Sequence, residues 1–279
     1  PMLSPSTRRS YQCIRNSAFP GCMDKDIRSI NWPRAVASES QRVAKKTLKN
    51  ELGFVAAAYK EQKIPFDPVD LGVVPKADTP WLDYAQILTF VDAIRDTPVE
   101  LPALLALHSL RRSEIFALRP EDIDLRAETI SVSGATVYTS SAEWIRREEN
   151  KSARSQRVVP IVIPRLLEIL QDHNGDICAL GDGVRRQINR ICAANDLPEV
   201  GLHGLRRSFA SLAYHLGWSE EETMRHGGWS DWKTVHDFYL RLSEKDLSKA
   251  AKKMRRFYSV SKSVSKKGSK NAPKRTSAI

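Results

Sequence analysis

Long apolar runs are missing from this sequence. No segment approaches the roughly 20 consecutive apolar residues that a membrane-spanning helix needs. The first ten residues, PMLSPSTRRS, also lack the apolar centre of a signal peptide. The hydrophobic share of 41% over 279 residues is still enough for packed cores. We therefore expect a cytoplasmic protein with one large domain or two smaller ones, and no membrane partner.

Close cysteine pairs and glycine-rich phosphate loops are missing as well. The four cysteines, Cys13, Cys22, Cys178 and Cys192, lie far apart and form no C-x-x-C pair. We therefore expect reduced thiols rather than a zinc site. No Gly-rich nucleotide-binding fingerprint is present either. The sequence thus predicts neither a metal nor a cofactor.

Acidic residues are missing from the end of the chain. Residues 247–279 contain eleven Lys or Arg and no Asp or Glu, which equals the whole net charge of +11. The rest of the chain is neutral in sum, so charge by itself indicates only a basic tail. Residues 259–279 are rich in Ser and Lys and poor in large apolar residues, so we expect them to be disordered.

The hydrophobic pattern predicts a mainly helical α+β fold. Residues 1–65 are expected to form a small all-helical domain, with a first helix capped near Ser4–Thr7. Its longest helix is expected at Ser40–Gln62, where apolar residues recur at helical spacing. The proline-rich residues 66–79 are a predicted linker to a second domain.

The second domain, residues 80–258, combines helices with short strands. A helix from Asp83 to Arg95 is expected to bury one apolar face, made of Tyr84, Ile87, Leu88 and Val91. A small antiparallel sheet of three strands is expected next, from β-branched and mixed segments. The predicted strands are Thr129–Val132, Trp144–Arg147 and Arg157–Ile163.

Five short segments carry side chains that suit phosphate chemistry. In chain order they are Ser109–Glu114 (SLRRSE), the polar turn that contains Lys151, His203–Arg206 (HGLR), His226–Trp229 (HGGW) and Val235–Tyr239 (VHDFY). Each segment alone is a weak signal. All five in this order, with the predicted hairpin between the first two arginine-containing segments, form a strong one.

Metal-free exchange of phosphodiesters needs a small set of groups, and these segments contain each of them. Two guanidiniums can clamp the charged phosphate oxygens, because arginine stays protonated and binds bidentately. A phenol can be the nucleophile and keep the bond energy in an ester. A lysine can protonate the departing 5′ oxygen, a histidine can take the proton of the nucleophile, and an indole N–H can donate to the phosphate.

These residues resemble the active-site set of the tyrosine recombinases of the phage-integrase type. The family pattern is roughly G-L-R-x-x-E, a hairpin Lys, H-x-L-R, a His or Trp after Gly, and a Tyr. The resemblance implies that Arg111 and Arg206 clamp the phosphate and that Tyr239 is the nucleophile. Glu114 matches the acidic residue that supports the first Arg, while Ser109 replaces the usual Gly.

The resemblance assigns the remaining roles less uniquely. Lys151 becomes the general acid, His203 the proton acceptor and Trp229 the occupant of the His/Trp position. His226 competes with Trp229 for that position, and Tyr258 is a rival nucleophile. Other cations near Lys151 are Arg147, Arg154 and Arg157.

The resemblance implies a DNA integrase without cofactor or metal. Residues 1–65 then form a core-binding domain and residues 80–258 the catalytic domain. The implied partners are double-stranded DNA with inverted-repeat core sites and three further copies of the chain. The implied location is the nucleoid of a bacterium, as for a bacterial or phage protein. Whether accessory DNA-bending or directionality proteins take part stays open. Three alternatives also stay open: a type IB topoisomerase-like enzyme, a catalytically inactive DNA-binding regulator, and a general nucleic-acid binder that acts through its tail.

The segment before the basic tail predicts one more helix. Residues 243–258 begin with Ser243 and Glu244, which suit a helix start, and their apolar residues recur at spacings of three and four. This stripe either folds back on its own domain or, as the resemblance implies, docks on a neighbouring subunit of a tetramer.

Overall fold

A computed structural model describes residues 3–74, 79–139, 143–147, 156–173, 177, 183–239, 242, 251–252 and 255. These residues form many α-helices and a few short antiparallel strands, so the predicted α+β, mainly helical fold is confirmed. Within the described residues, every helix is too short or too polar to span a membrane.

The regular elements are ten bounded helices and five strands over the described residues, with short 3-10 turns at Ile27–Ser29 and Pro120–Asp122. The helices are α1 (Pro5–Ser17), α2 (Trp32–Glu39), α3 (Lys45–Glu61), α4 (Tyr84–Ile94), α5 (Glu100–Leu107), α6 (Arg112–Ile115), α7 (Pro164–Asp172), α8 (Gly183–Ala194), α9 (Leu202–His215) and α10 (Glu220–Gly227). The strands are β1 (Ile123–Asp124), β2 (Thr129–Val132), β3 (Ala135–Tyr138), β4 (Trp144–Arg147) and β5 (Arg157–Pro160). Residues 232–239 are helical as well.

The chain divides into two compact units. The first contains Pro1–Pro80, Arg111–Pro160 and Leu167–Asp182, and the second contains Trp81–Leu110, Ile161–Leu166 and Gly183–Ile279. The domain limits expected from the sequence, with a linker at 66–79, stay predictions.

The helices at the start of the first unit enclose an aromatic core. α1 begins where the Ser4 hydroxyl accepts from the Thr7 N–H at 3.2 Å, as predicted. Trp32 and Tyr59 are buried, and the Trp32 indole N–H donates to the Tyr59 hydroxyl at 2.6 Å. The Tyr59 hydroxyl in turn donates to the carbonyl of Ile27. Burying both aromatic rings with their polar ends satisfied locks α2 and α3 together.

The expected helix Ser40–Gln62 begins later than predicted. α3 starts at Lys45, because the preceding residues turn back on α2 instead of joining it to α3. The N–H of Ser40 donates to the carbonyl of Val36, and the N–H of Arg42 to that of Glu39. Periodicity alone does not fix the residue at which a helix starts.

Two small antiparallel sheets lie in the first unit. The three-stranded sheet has the order β1-β2-β5, with Ile123 opposite Ile130 and Val132 opposite Arg157. The predicted strand Trp144–Arg147 exists as β4, but its assignment to this sheet was wrong, because it pairs with β3 in a separate sheet. The two residues of β1 are too few to give an alternating pattern that a sequence could show.

The helix predicted at Asp83–Arg95 is present as α4, with a different buried face. Asp83 and Gln86 form the N-terminal capping box. The buried residues are Ile87, Phe90 and Ile94, whereas Tyr84 and Leu88 are 49% and 55% exposed. The true face follows the spacing i, i+3, i+7, so the predicted face was rotated about the helix axis.

The centre of the second unit is α5, whose residues from Ala103 to Ala106 are all buried. α9 lies against it, and the Ser208 hydroxyl on α9 accepts from the backbone N–H of Leu82 at 2.8 Å. This packing fixes one face of α9 in the core and leaves the face with His203 at the surface.

Several sequence predictions fall on residues outside those described. They are the Lys151 turn, part of the 66–79 linker, most of the helix expected at 243–258 with Tyr258, and the basic tail 259–279.

Candidate active site

Arg206 is a buried arginine held by two backbone carbonyls of the second unit. Its residue is only 2% exposed, yet it lies on α9 at the edge of a surface cleft. One terminal nitrogen donates to the carbonyl of Ser109, and the other donates to the carbonyl of Gly227 at 2.8 Å. The guanidinium also lies over the Trp229 ring, 4.2 Å from its centroid. These contacts fix the plane of the guanidinium, a group that stays protonated at any physiological pH.

Ser109 reaches this position through an unusual backbone conformation. Its φ is +81°, in the left-handed region that favours glycine, and the residue is fully buried after the end of α5. The turn is closed by the Leu110 N–H, which donates to the carbonyl of Leu105. The Ser109 hydroxyl lies 3.4 Å from the carbonyl of His226. This left-handed turn presents the Ser109 carbonyl to Arg206, at a position whose backbone conformation favours glycine.

Two glycines bring Trp229 onto Arg206. Gly228 ends α10 with a φ of +63°, and the Trp229 N–H donates to the carbonyl of Met224 at 3.1 Å. The Trp229 ring then crosses directly over Gly227, where a Cβ would lie only 1.8 Å from the nearest ring carbon. The segment HGGW therefore needs its first glycine for close packing and its second for the turn.

One cleft collects three of the residues predicted from the sequence. His203, Arg206 and Trp229 line it, together with Arg207, Ala210, Thr234, Val235 and Phe238. His203 is exposed and precedes Arg206 by one turn of α9, so both project from the same face of the helix. Imidazole, guanidinium and indole groups thus border the same space, and each of them can donate a hydrogen bond to a phosphate.

His226 lies behind the cleft wall, in the core of the unit. It is 6% exposed, and its ring stacks on Phe209 with centroids 5.0 Å apart. The ring of the buried His108 is 4.8 Å away from it. Among the described residues, the cleft is lined by Trp229 and not by His226. This geometry favours Trp229 for the His/Trp position, and the assignment stays a prediction.

Tyr239 is buried with its hydroxyl engaged. The residue is 7% exposed, its Oη lies 2.6 Å from the Thr223 Oγ1, and the carbonyl of Trp218 is 3.5 Å away. Burial raises the pKa of the Tyr239 hydroxyl, while the Thr223 hydrogen bond acts in the opposite direction. Its neighbour Phe238 lines the cleft, but Tyr239 is not among the described lining residues. In this conformation the predicted nucleophile is withdrawn from the cleft.

Arg111 belongs to the first unit, where Glu114 holds it. The Arg111 Nη1 donates to Glu114 Oε1 at 2.6 Å, and the Arg111 backbone N–H donates to Glu114 Oε2 at 2.8 Å. Arg157 donates to both oxygens of the same carboxylate. Burial alone would raise the pKa of Glu114, but Arg157 and then Arg111 lower it below its ordinary value. The supporting role predicted for Glu114 agrees with these contacts.

Two residues of this geometry escaped the sequence analysis. Thr223 gives no signal, because a threonine inside a helix is ordinary and its partner is 16 residues away. The sequence indicates Arg157 only as a cation near Lys151, yet its side chain is 7% exposed and paired with Glu114. Lys151 itself lies outside the described residues. Within the described ranges, no three His, Cys, Asp or Glu side chains cluster as metal ligands.

Solved structures of DNA integrases share this fold. The Tn1549 transposon integrase in complex with transposon right end DNA matches with a TM-score of 0.64 at 15% identity, over 89% of this chain and 95% of that chain. The same integrase in complex with circular intermediate DNA matches with 0.64 at 16% identity, over 88% and 92%. The XerH site-specific recombinase bound to palindromic difH substrate matches with 0.52 at 14% identity, over 87% and 76%.

The chain has the integrase fold. The expected likeness to the tyrosine recombinases is therefore confirmed at the level of the fold. No protein-family model matches the sequence, and no curated protein matches it. At such low identity, what the integrase fold does in this chain has to be argued from its own residues.

Proposed function

We propose that this chain is a tyrosine site-specific DNA recombinase, which breaks and rejoins duplex DNA through a 3′-phosphotyrosyl bond at Tyr239. The observation that carries the proposal is the cleft in which Arg206, fixed by two carbonyls and Trp229, borders the exposed His203. A phosphate that enters this cleft meets a guanidinium whose orientation is set before binding, so little reorganisation is needed as charge develops.

The proposed step replaces one phosphate ester by another. The Tyr239 oxygen bonds to phosphorus, the bond from phosphorus to the 5′ oxygen breaks, and the phenol proton passes to His203. Lys151 gives a proton to the departing 5′ oxygen. Because burial raises the pKa of the phenol, Tyr239 is neutral at pH 7 and needs such a proton acceptor. The 5′ hydroxyl of a partner strand reverses the step, so no energy-rich cofactor is consumed.

The withdrawn Tyr239 adds a requirement to this mechanism. Its hydroxyl bonds to Thr223, so the helical residues 232–239 have to move or rotate before the phenol can attack. Val235 and Phe238 from the same helix line the cleft, so a modest change of this helix alters the nucleophile and the cleft together.

We further propose that the substrate is duplex DNA with inverted-repeat core sites and that four copies of the chain assemble on it. The Tn1549 integrase and XerH structures with the same fold contain DNA, which supports the substrate class. Arg111, which donates to Glu114, is proposed as a further guanidinium that binds a phosphate of the DNA.

The test is covalent capture of DNA. Randomised inverted-repeat duplexes are first selected for binding, and the selected sequence is then made with a single nick at each successive position. A cleaved strand next to the nick loses its short 5′ hydroxyl fragment, so the protein stays attached and shifts on a denaturing gel. We expect an adduct with the wild type in EDTA, because arginines supply the positive charge.

Matched variants identify the residues in this assay. Tyr239→Phe should abolish the adduct and keep DNA binding, whereas Tyr214→Phe, a neighbouring hydroxyl loss, and Tyr258→Phe should keep it. Arg206→Ala should slow adduct formation by roughly a hundredfold or more. Specific binding without any wild-type adduct would instead identify a catalytically inactive regulator, and adduct formation by Tyr239→Phe would reject this nucleophile.

A further inference from the structure

Arg157 has a largely covered side chain that binds a carboxylate. It begins β5, and its side chain is 7% exposed. Its Nη1 donates to Glu114 Oε1 at 3.3 Å and its Nη2 donates to Glu114 Oε2 at 3.1 Å. This is the parallel, two-bond geometry in which a guanidinium holds a carboxylate most firmly.

The same carboxylate holds Arg111 at its other side. The Glu114 side chain is 2% exposed, whereas that of Arg111 is 34% exposed. Arg111 contacts Glu114 through Nη1 at 2.6 Å and through its own backbone N–H at 2.8 Å. Glu114 is therefore a bridge between a buried guanidinium and one that reaches the surface.

The charges of this trio add up to a cation. The two guanidiniums lower the pKa of Glu114 against the effect of burial, so the carboxylate is ionised at neutral pH. Two positive charges and one negative charge give the trio a net charge of +1. Without Arg157, Glu114 and Arg111 would form a neutral pair, which attracts a phosphate less strongly.

We propose that Arg157 sets the charge around Arg111: by pairing with Glu114 it offsets the charge of that carboxylate and keeps the combined charge of the three groups positive. The inference rests on the proposed function, since it takes Arg111 as a phosphate ligand. It also gives β5 a role beyond the sheet.

A purely structural ion pair makes a different prediction. Removing one member of a buried pair is destabilising whatever the pair does, so loss of stability alone does not test the proposal. Charge does. Arg157→Gln makes the trio neutral, whereas the double variant Arg157→Gln with Glu114→Gln restores a net charge of +1 without restoring the pair.

The measurement is the NMR signal of the Arg111 Nε–H during titration with inorganic phosphate, with the signal assigned from its loss in Arg111→Lys. Phosphate affinity should fall on the order of tenfold in Arg157→Gln at low salt. The double variant should recover most of that loss. Equal affinity in wild type and Arg157→Gln, or no recovery in a folded double variant, would overturn the proposal.

Two further variants keep the test decisive. Arg146→Gln removes another mostly buried arginine of the first unit, which bonds to the Ala117 carbonyl and Asp122, and should leave phosphate affinity at Arg111 unchanged. If Arg157→Gln does not fold, Arg157→Lys takes its place: it keeps the charge and should stay within about threefold of wild type, and a loss as large as tenfold would overturn the charge argument.

The titration needs no DNA cleavage, so its result is separate from that of the covalent capture. If the wild type forms no adduct while phosphate affinity follows the charge of the trio, the recombinase proposal fails and the role of Arg157 stands. If the adduct forms while phosphate affinity ignores Arg157, only the present inference fails.

Discussion

The hydrogen bond between Thr223 and Tyr239 is expected to hold the Tyr239 side chain in the conformation that is withdrawn from the cleft. Thr223→Val removes the hydroxyl and keeps the size of the side chain. Thr223 is fully buried and Tyr239 is 7% exposed, so the abandoned phenol has little access to water. The change therefore tests a single contact of 2.6 Å.

The expected magnitude follows from what the phenol can still reach. A buried hydroxyl left without its partner costs about 1–3 kcal/mol. The carbonyl of Trp218 lies 3.5 Å from the Tyr239 Oη and can accept its proton after a small shift. We therefore expect Thr223→Val to lower the free energy of unfolding by about 1–2 kcal/mol, at the lower end of that range.

A double-mutant cycle measured by urea denaturation isolates this contact. Thr223→Val and Tyr239→Phe each leave one buried hydroxyl behind, whereas the double variant leaves none. The double variant should therefore lose less stability than the two single losses together, by about 1 kcal/mol. Strict additivity would refute the idea that these two hydroxyls stabilise each other.

The same change should affect the reaction if Tyr239 has to leave Thr223 before it attacks DNA. Weakening the withdrawn state by about 1.4 kcal/mol raises the released fraction about tenfold. The first-turnover rate of adduct formation should then rise by up to that factor in Thr223→Val and stay near wild type in Thr223→Ser. A slower Thr223→Val would mean that Thr223 activates the phenol instead of restraining it.

Three further predictions concern the backbone and the buried charges. Ser109→Gly should raise the free energy of unfolding by about 0.5–1 kcal/mol, because glycine relieves the left-handed conformation; thermal melting measures this, and a lower melting temperature would contradict it. Gly227→Ala should push Trp229 off Arg206 and shift its indole N–H signal in NMR spectra; an unchanged signal would show that the ring can stay. Burial, with nearby Glu39, raises the pKa of Glu51, so its contribution to stability is present below its ordinary pKa and is lost as pH rises. Glu51→Gln should therefore be more stable than the wild type at pH 7 and gain much less at pH 4, as urea denaturation at both pH values would show.

The sequence predicts elements well where their signals are local. Ser4 and Asp83 mark helix starts that the structure contains, and the β-branched residues 129–132 form a strand. The start of α3 was predicted at Ser40 instead of Lys45, because residues 40–44 have no strong helix breaker and the turn there depends on tertiary packing. The pairing of β4 was missed for a similar reason, since strand partners are chosen by the fold and not by the strand alone.

Some features of the candidate site could likewise be predicted from the sequence, and others could not. His203 and Arg206 could be predicted together, because a spacing of three residues on a helix puts both side chains on one face. The two carbonyls that hold Arg206 could not be predicted, because every residue has a carbonyl. The Ser109 carbonyl points to the guanidinium because the φ of Ser109 is +81°. The contact of Tyr239 with Thr223 depends on how two helical segments pack, which no local pattern records.

The use of backbone carbonyls to hold Arg206 affects how this site can change during evolution. Any amino acid supplies a carbonyl, so substitutions at 109 and 227 cannot delete these two hydrogen bonds directly. They can only shift them, by resisting a left-handed φ at 109 or by placing a Cβ under the indole at 227. Relatives of this chain can therefore keep this hydrogen bond with any residue at position 109 that accepts a left-handed φ, and a search for the same site in diverged proteins should compare backbone conformation as well as residue identity there.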